Sequence, residues 1–237
     1  KSTNKQRDIK IVSLKISTFA EKLEMKVLKA ALFDLDGTLV DSEGQYTQFW
    51  GEMGKEYHPE MPDFAARLKG TTLTNVLTNY FTPEQYEPVC KRLDDFEAQM
   101  EFPLIAGAEA FVKDLKSHGV TCLIVTSSNH AKLACLRKKQ SQFLTLFDGI
   151  LTAEDFKASK PDPDCYIRAA MVAEAERNEC IVFEDAFSGL QAGMSSGIFT
   201  VGLATGVSRE VLADKCHFVL DDFNGINYDK ITKIWSR

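Results

Sequence analysis

Asp34 and Asp36, two aspartates separated by one residue, are the side chains of this sequence most suited to do chemistry. They follow the apolar run 27–33, which predicts a strand buried on both faces of a parallel sheet. Side chains two positions apart at a strand end point to the same side, and Gly37 lets the backbone turn tightly there. Carboxylates this close repel each other unless a cation neutralises them, and Mg²⁺ prefers hard oxygen ligands. The pair therefore indicates a magnesium site at the carboxyl end of a strand.

The same pair also fits an Asx turn at the end of a strand, and two aspartates alone do not decide between these interpretations. A calcium-binding loop is a third interpretation. Counting from Asp34, such a loop needs Gly at its sixth position and Glu at its twelfth. Those positions hold Leu39 and Gln45, so we reject a calcium loop.

Three further strand ends carry polar residues that could act on a phosphate. Thr126 and Ser127 offer a hydroxyl and exposed amides, although Ser and Thr after a strand more often cap the next helix. Lys160, just before a proline, would supply positive charge, although such a lysine is usually exposed to solvent. Glu184 and Asp185 follow another apolar run, where acids are costly without a partner or a metal. Each feature is ordinary alone, but together they place these groups at successive strand ends of one sheet.

The elements that must position these residues alternate between short apolar runs and longer amphipathic segments. This alternation predicts a doubly wound, Rossmann-like α/β fold with a parallel sheet. Asp162 and Pro163 are predicted as the N-cap and the first residue of a helix. The predicted strands are 27–33, 120–126, 149–152, 180–183, 199–202 and 217–220. The predicted helices are 108–117, 129–138, 162–172 and 186–195.

Residues 41–103 interrupt this alternation and predict an inserted α-helical cap domain. The segment contains no good strand, and prolines punctuate it. Residues 25–40 and 104–237 then form the α/β core domain, with hinges near 40–43 and 101–107. Residues 1–24 are predicted to be a disordered or loosely packed extension, because lysines interrupt their apolar stretches and a signal peptide fits poorly. The cap helices are predicted at 45–53, 63–68, 72–80 and 84–100.

The composition is that of an ordinary globular protein. Of the 237 residues, 44% are hydrophobic, and the formal net charge is −6 with a pI near 5.3. This balance gives no support to binding of nucleic acid or of an acidic membrane surface. No segment approaches the ~20 apolar residues of a membrane span. We therefore expect a cytoplasmic monomer whose partner is a small phosphorylated metabolite, with no nucleic acid and no membrane.

Six cysteines are scattered over the chain without a CxxC pair, which argues against a zinc site. We predict free thiols in or near the core of a cytosolic protein. They are Cys90, Cys122, Cys135, Cys165, Cys180 and Cys216.

In chain order, the segments FDLDGT, VTSS, SKPDPDCY and VFEDAFSGL resemble the motifs of the haloacid dehalogenase superfamily. The resemblance covers residues 26–220. A helical cap between the first and second motifs is similar to the branch that contains β-phosphoglucomutase and many small-molecule phosphatases. The resemblance implies that Asp34 attacks phosphorus and forms an aspartyl phosphate, with Asp36 as general acid and base. It also implies that Thr126, Ser127 and Lys160 bind the phosphoryl group.

The resemblance further implies a Mg²⁺ cofactor. Its ligands would be Asp34, the carbonyl of Asp36, and Asp185, with Glu184 as a further ligand. Gly37 would let the backbone approach the phosphate. Dehalogenation needs no metal, so the acidic residues favour phosphoryl transfer.

The cap residues favour a phosphatase over a mutase. The segment Leu68-Lys69-Gly70 resembles one in β-phosphoglucomutase, where an Arg three residues after the glycine grips a second phosphate. Here that position is Leu73, and a cap Lys of the mutase aligns near Leu93. We therefore predict hydrolysis of a sugar or polyol phosphate; a β-phosphoglucomutase and a catalytically inactive binding protein are the alternatives. The candidate substrate residues are Glu43, Tyr46, Trp50, Lys69 and Thr72.

Overall fold

Six parallel strands form one sheet in the computed structural model, which describes residues 27–68 and 71–236. The sheet order is β3-β2-β1-β4-β5-β6, and helices cover both faces. The predicted doubly wound α/β fold is confirmed. The predicted extension 1–24 and Lys69 lie outside the described residues. The strands are β1 (Ala30–Phe33), β2 (Thr121–Val125), β3 (Gly149–Leu151), β4 (Cys180–Glu184), β5 (Phe199–Leu203) and β6 (Phe218–Leu220).

Strand β1 lies at the centre of the sheet, paired with β2 on one side and β4 on the other. Phe33, its last residue, is in register with Ile124 of β2 and Phe183 of β4. All four residues of β1 are fully buried, which explains why its sequence is a continuous apolar run. Because the three strands are parallel and in register, the residues that follow them emerge at the same edge of the sheet.

Eight helices agree with the predicted ones to within a few residues, with two notable differences, whereas the helices at 141–144, 209–212 and 228–235 were not predicted. The first insertion helix runs over 43–57, so it starts earlier and is longer than the predicted 45–53. The prediction for Asp162 and Pro163 was wrong: Pro163 is itself the N-cap, and Asp162 Oδ1 accepts a hydrogen bond from the Asp164 amide at 2.9 Å. The helices are α1 (Glu43–Tyr57), α2 (Phe64–Arg67), α3 (Leu73–Tyr80), α4 (Pro83–Gln99), α5 (Ala108–Ser117), α6 (His130–Lys139), α7 (Ser141–Leu144), α8 (Asp164–Val172), α9 (Phe187–Ser196), α10 (Arg209–Leu212) and α11 (Tyr228–Trp235).

Helices α1 to α4, here called the helical insertion, lie between β1 and β2 in the chain, as predicted. They share an apolar cluster separate from those on the two faces of the sheet. The division into a cap at 41–103 and a core stays a prediction, which this separate cluster supports. The buried members of the cluster are Phe49, Trp50, Met53, Phe64, Leu68, Val76, Phe81, Val89 and Leu93.

All six cysteines are free thiols, four of them buried. Among residues 27–68 and 71–236, no helix combines the length and the apolar character needed to cross a bilayer.

Candidate active site

Asp34, Lys160 and Glu184 form a buried charged cluster at the carboxyl edge of the sheet. Lys160 Nζ lies 2.6 Å from Asp34 Oδ1 and 2.6 Å from Glu184 Oε1, and it donates to the Val125 carbonyl at 3.1 Å. Burial raises the pKa of Asp34 to about 7 against the opposing effect of Lys160, and the nearby Glu184 adds to the rise. Burial alone would lower the pKa of Lys160, but the two carboxylates raise it well above its ordinary value. Lys160 therefore carries a permanent positive charge beside Asp34.

Glu184 accepts hydrogen bonds on both carboxylate oxygens. Tyr166 Oη donates to Oε1 at 2.9 Å, and the amides of Asp185 and Ala186 donate to Oε2 at 3.0 and 3.1 Å. Gly189 in helix α9 makes room for this carboxylate, since a Cβ there would overlap it. Glu184 is therefore held rigidly, in a position that orients Lys160.

Asp185 lies near Asp34 and is held by Thr38. Thr38 Oγ1 donates to Asp185 Oδ1 at 3.1 Å. Gly37 has a positive φ of 78°, and a Cβ there would collide with the Asp185 carboxylate, so glycine is required for both reasons. Burial raises the pKa of Asp185 well above its ordinary value, with further contributions from Glu184 and Asp34.

Asp34, Glu184 and Asp185 each present one carboxylate oxygen, and these oxygens lie within 4.8 Å of one another. Three buried acids at this separation repel each other, and hard oxygen donors are the ligands that Mg²⁺ prefers. The residues therefore fit a divalent cation. Asp34 and Asp185 are the better donors of the three, because Glu184 already accepts four hydrogen bonds.

Asp36 faces a lysine that the sequence interpretation missed. Lys132 Nζ lies 2.6 Å from Asp36 Oδ2, Ser128 Oγ donates to the same oxygen at 2.9 Å, and Ser42 donates to Oδ1. Burial would raise the pKa of Asp36, but Lys132 and these three hydrogen bonds outweigh it and lower the pKa. Lys132 lies in helix α6, three residues after its N-cap Asn129, and no motif of the sequence marks it.

Thr126 and Ser127 line the same cavity as the charged cluster. The cavity has a volume of about 410 Å³, which is within the usual range for a small-molecule site. Thr126 is buried, and its Oγ1 accepts a hydrogen bond from the Ser128 amide at 3.0 Å. Thr126 and Ser127, two of the predicted phosphate-binding residues, thus line one cavity with Asp34 and Lys160.

The helical insertion forms the opposite wall of the cavity, and four of the predicted substrate residues line it: Glu43, Tyr46, Trp50 and Thr72. Thr72 also caps helix α3, where its hydroxyl accepts from the Asn75 amide at 3.3 Å. Tyr46 donates to Glu97, and Trp50 packs edge-on against Phe49. Glu97, a further cavity residue, was missed because an acid near the end of a helix usually faces solvent.

Mg²⁺ is expected to raise the melting temperature, and to raise it more at about pH 8 than at about pH 5. The pKa of Asp34 is about 7 in the folded protein against an ordinary 3.8, and that of Asp185 is also raised. Between those values the folded protein holds protons that the unfolded chain has lost, so stability without metal falls as pH rises through this window. Mg²⁺ competes with these protons for Asp34 and Asp185, so it binds best above this pH window. Melting temperatures measured with Mg²⁺ and with a chelator, at both pH values, check this prediction.

Asp185→Asn is the control for this measurement, because Asn keeps the size of the side chain and removes its charge. The variant should lose most of the Mg²⁺-dependent rise at both pH values. A rise that is equal at both pH values, or unchanged in Asp185→Asn, would contradict a metal site at these carboxylates.

Residues 31–203 match the sequence model of a protein family described as haloacid dehalogenase-like hydrolase. Validoxylamine A 7′-phosphate phosphatase of Streptomyces hygroscopicus subsp. limoneus is 30% identical over 212 residues, which are 86% of this chain and 98% of that protein. Beta-phosphoglucomutase of Bacillus subtilis (strain 168) is 26% identical over 194 residues, 76% of this chain and 84% of that protein.

The solved structure of a HAD hydrolase, family IA, variant 3, from Entamoeba histolytica HM-1:IMSS has the same fold, with a TM-score of 0.74 at 24% identity. The alignment covers 88% of this chain and 100% of that chain. The resemblance predicted from the four motifs is confirmed. The chain belongs to the haloacid dehalogenase-like hydrolases.

Proposed function

We propose that this protein is a Mg²⁺-dependent phosphatase that hydrolyses a small phosphorylated sugar or polyol through an aspartyl phosphate on Asp34. The observation that carries the proposal is the contact of Asp34 with Lys160, inside one cavity that also contains Asp36 and Thr126. Phosphoryl transfer needs chiefly positioning and stabilisation of negative charge, and these groups supply both.

In the first step, an Asp34 carboxylate oxygen attacks phosphorus, and the bond from phosphorus to the ester oxygen breaks. Asp36 gives a proton to the departing oxygen, which leaves as an alcohol. Lys160 offsets the negative charge shared by Asp34 and the phosphoryl group, and Thr126 with the amide of Ser127 binds phosphoryl oxygens. The lowered pKa of Asp36 favours its ionised form in the free site, which is the form that accepts a proton from water in the second step.

In the second step, Asp36 takes a proton from water, and the water oxygen attacks phosphorus. The bond between phosphorus and Asp34 breaks, so inorganic phosphate leaves and Asp34 is regenerated. Asp34 and Asp185 would hold Mg²⁺, which supplies further stabilisation of phosphoryl charge when bound. The helical insertion forms one wall of the cavity and would limit the access of bulk water to the site.

Two cavity residues favour hydrolysis over transfer to a second sugar hydroxyl. Leu73 and Leu93 line the insertion wall, at the positions where the resemblance to the mutase would place cations for a second phosphate. Among the described residues that line the cavity, the lysines are Lys132 and Lys160, and each is already paired with a carboxylate. Among residues 27–68 and 71–236, no unpaired lysine of the cavity lining would be left to bind the distal end of a bisphosphate.

Phosphate release and isomerisation, measured on one panel of sugar and polyol monophosphates with and without Mg²⁺, test the proposal. We expect Mg²⁺-dependent release of phosphate from at least one member. Conversion of β-glucose 1-phosphate to the 6-phosphate with a bisphosphate primer would show the mutase instead. Absence of both activities across the panel would favour the inactive binding protein.

A further inference from the structure

Glu97 of helix α4 places a buried carboxylate in the wall of the cavity that contains Asp34. The residue is 5% exposed. Tyr46 Oη donates a hydrogen bond to Glu97 Oε1 at 2.7 Å. Within the part of the chain that the structure describes, Oε2 accepts no hydrogen bond. Because a buried carboxylate is costly unless donors satisfy it, this oxygen is suited to a donor that enters the cavity with the substrate.

The position of Glu97 is fixed relative to Asp36 by two intervening side chains. Lys132 Nζ lies 4.2 Å from the centre of the Tyr46 ring and 2.6 Å from Asp36 Oδ2. Burial raises the pKa of Glu97, while Lys132 and the hydrogen bond from Tyr46 act in the opposite direction. A recognition group must be held rigidly at a set distance from the reacting atoms, and this network does so.

The wall around Glu97 suits a neutral, hydroxylated group. Besides Tyr46 and Glu97, its polar residues include Glu43, Thr47 and Thr71. Of the described insertion residues that line the cavity, none is Lys, Arg or His. An anionic leaving group would be repelled by the Glu97 carboxylate, whereas a hydroxyl group would find an acceptor there.

We propose that Glu97 is a specificity-determining residue, which accepts a hydrogen bond from a hydroxyl group on the leaving group of the substrate. It selects monophosphates of polyhydroxylated sugars or alcohols over phosphate esters that lack hydroxyl groups. The inference rests on the proposed phosphatase function and assigns the part of the cavity that recognises the leaving group.

The test compares kcat/KM for the best polyol or sugar phosphate of the panel with kcat/KM for p-nitrophenyl phosphate, whose leaving group carries no additional hydroxyl. In Glu97→Gln, the ratio of the two values should fall about tenfold, mainly through KM of the hydroxylated substrate, because a charged acceptor is lost. Tyr46→Phe keeps the ring under Lys132 and removes the hydrogen bond to Glu97, so it should lower the ratio less. Asp95→Asn, an exposed change in the same helix, is the matched control and should keep the ratio.

A deoxy analogue of the hydroxylated substrate gives a second measurement that needs no new variant. With the wild-type protein, removal of the contacted hydroxyl should cost about as much as Glu97→Gln, and the two losses should not add. A ratio unchanged in both Glu97→Gln and Tyr46→Phe, or a series of deoxy analogues that all react like the parent, would overturn the role of Glu97. If the wild-type protein hydrolyses neither ester, the phosphatase proposal itself fails, and the inference fails with it.

Discussion

Asp34→Asn is expected to lower Mg²⁺-dependent phosphate release by at least about 10⁴-fold, because an amide cannot form the covalent phosphoryl intermediate. The side chain keeps its size, so the cavity and the contact with Lys160 should change little. Steady-state phosphate release measures the loss. Acid quenching during turnover measures the intermediate, as phosphate bound to the protein in the wild type and not in the variant.

Asp41→Asn is the matched control, since Asp41 is an exposed aspartate seven positions along the same segment. It should keep both the turnover and the phosphoprotein. A folded Asp34→Asn protein that retains a tenth or more of the wild-type rate would rule out Asp34 as the nucleophile. Phosphoprotein at wild-type levels in the variant would show that another residue is phosphorylated.

Lys160→Met is expected to cost about 3–5 kcal/mol of stability, because it leaves two buried carboxylates without their cation. For a chain of this size the loss corresponds to a fall in melting temperature of about 6–20 °C. Lys160 lowers the pKa of Asp34, so its removal raises that pKa further. The folded variant then holds this proton to higher pH than the wild type, so its deficit in stability should grow as pH rises from about 7 to 9. Thermal unfolding across that range gives the measurement.

Two further variants separate this effect from the loss of a lysine in general. Lys157→Met changes an exposed lysine three residues earlier and should leave the melting temperature nearly unchanged. Adding Glu184→Gln to Lys160→Met removes one of the two uncompensated charges and should restore part of the stability. A deficit that does not change with pH would contradict the charge pairing as its cause. A double variant that is no more stable than Lys160→Met would also contradict charge pairing as the cause.

The residues at the strand ends could be predicted from sequence, because their meeting follows from local rules. Apolar runs predict buried strands, and parallel strands in a doubly wound sheet bring their carboxyl ends to one edge. Asp34, Thr126 and Glu184 lie at such strand ends, so no knowledge of packing was needed to place them in one cavity. The helix boundaries were less predictable, as Pro163 shows, because an Asx turn before the helix competes with a side-chain cap.

The sequence by itself determined the class of fold, the acidic pair at Asp34 and Asp36, and the groups able to bind a phosphate and a cation. The tertiary structure decided what surrounds that pair. Lys132 reaches Asp36 across 96 positions of the chain, and Tyr46 reaches Glu97 across 51. Such contacts depend on how helices α1, α4 and α6 are oriented against the sheet edge, and no local pattern encodes that orientation. The lowered pKa of Asp36 and the acidic, hydroxyl-bearing wall around Glu97 are therefore properties of the packed protein.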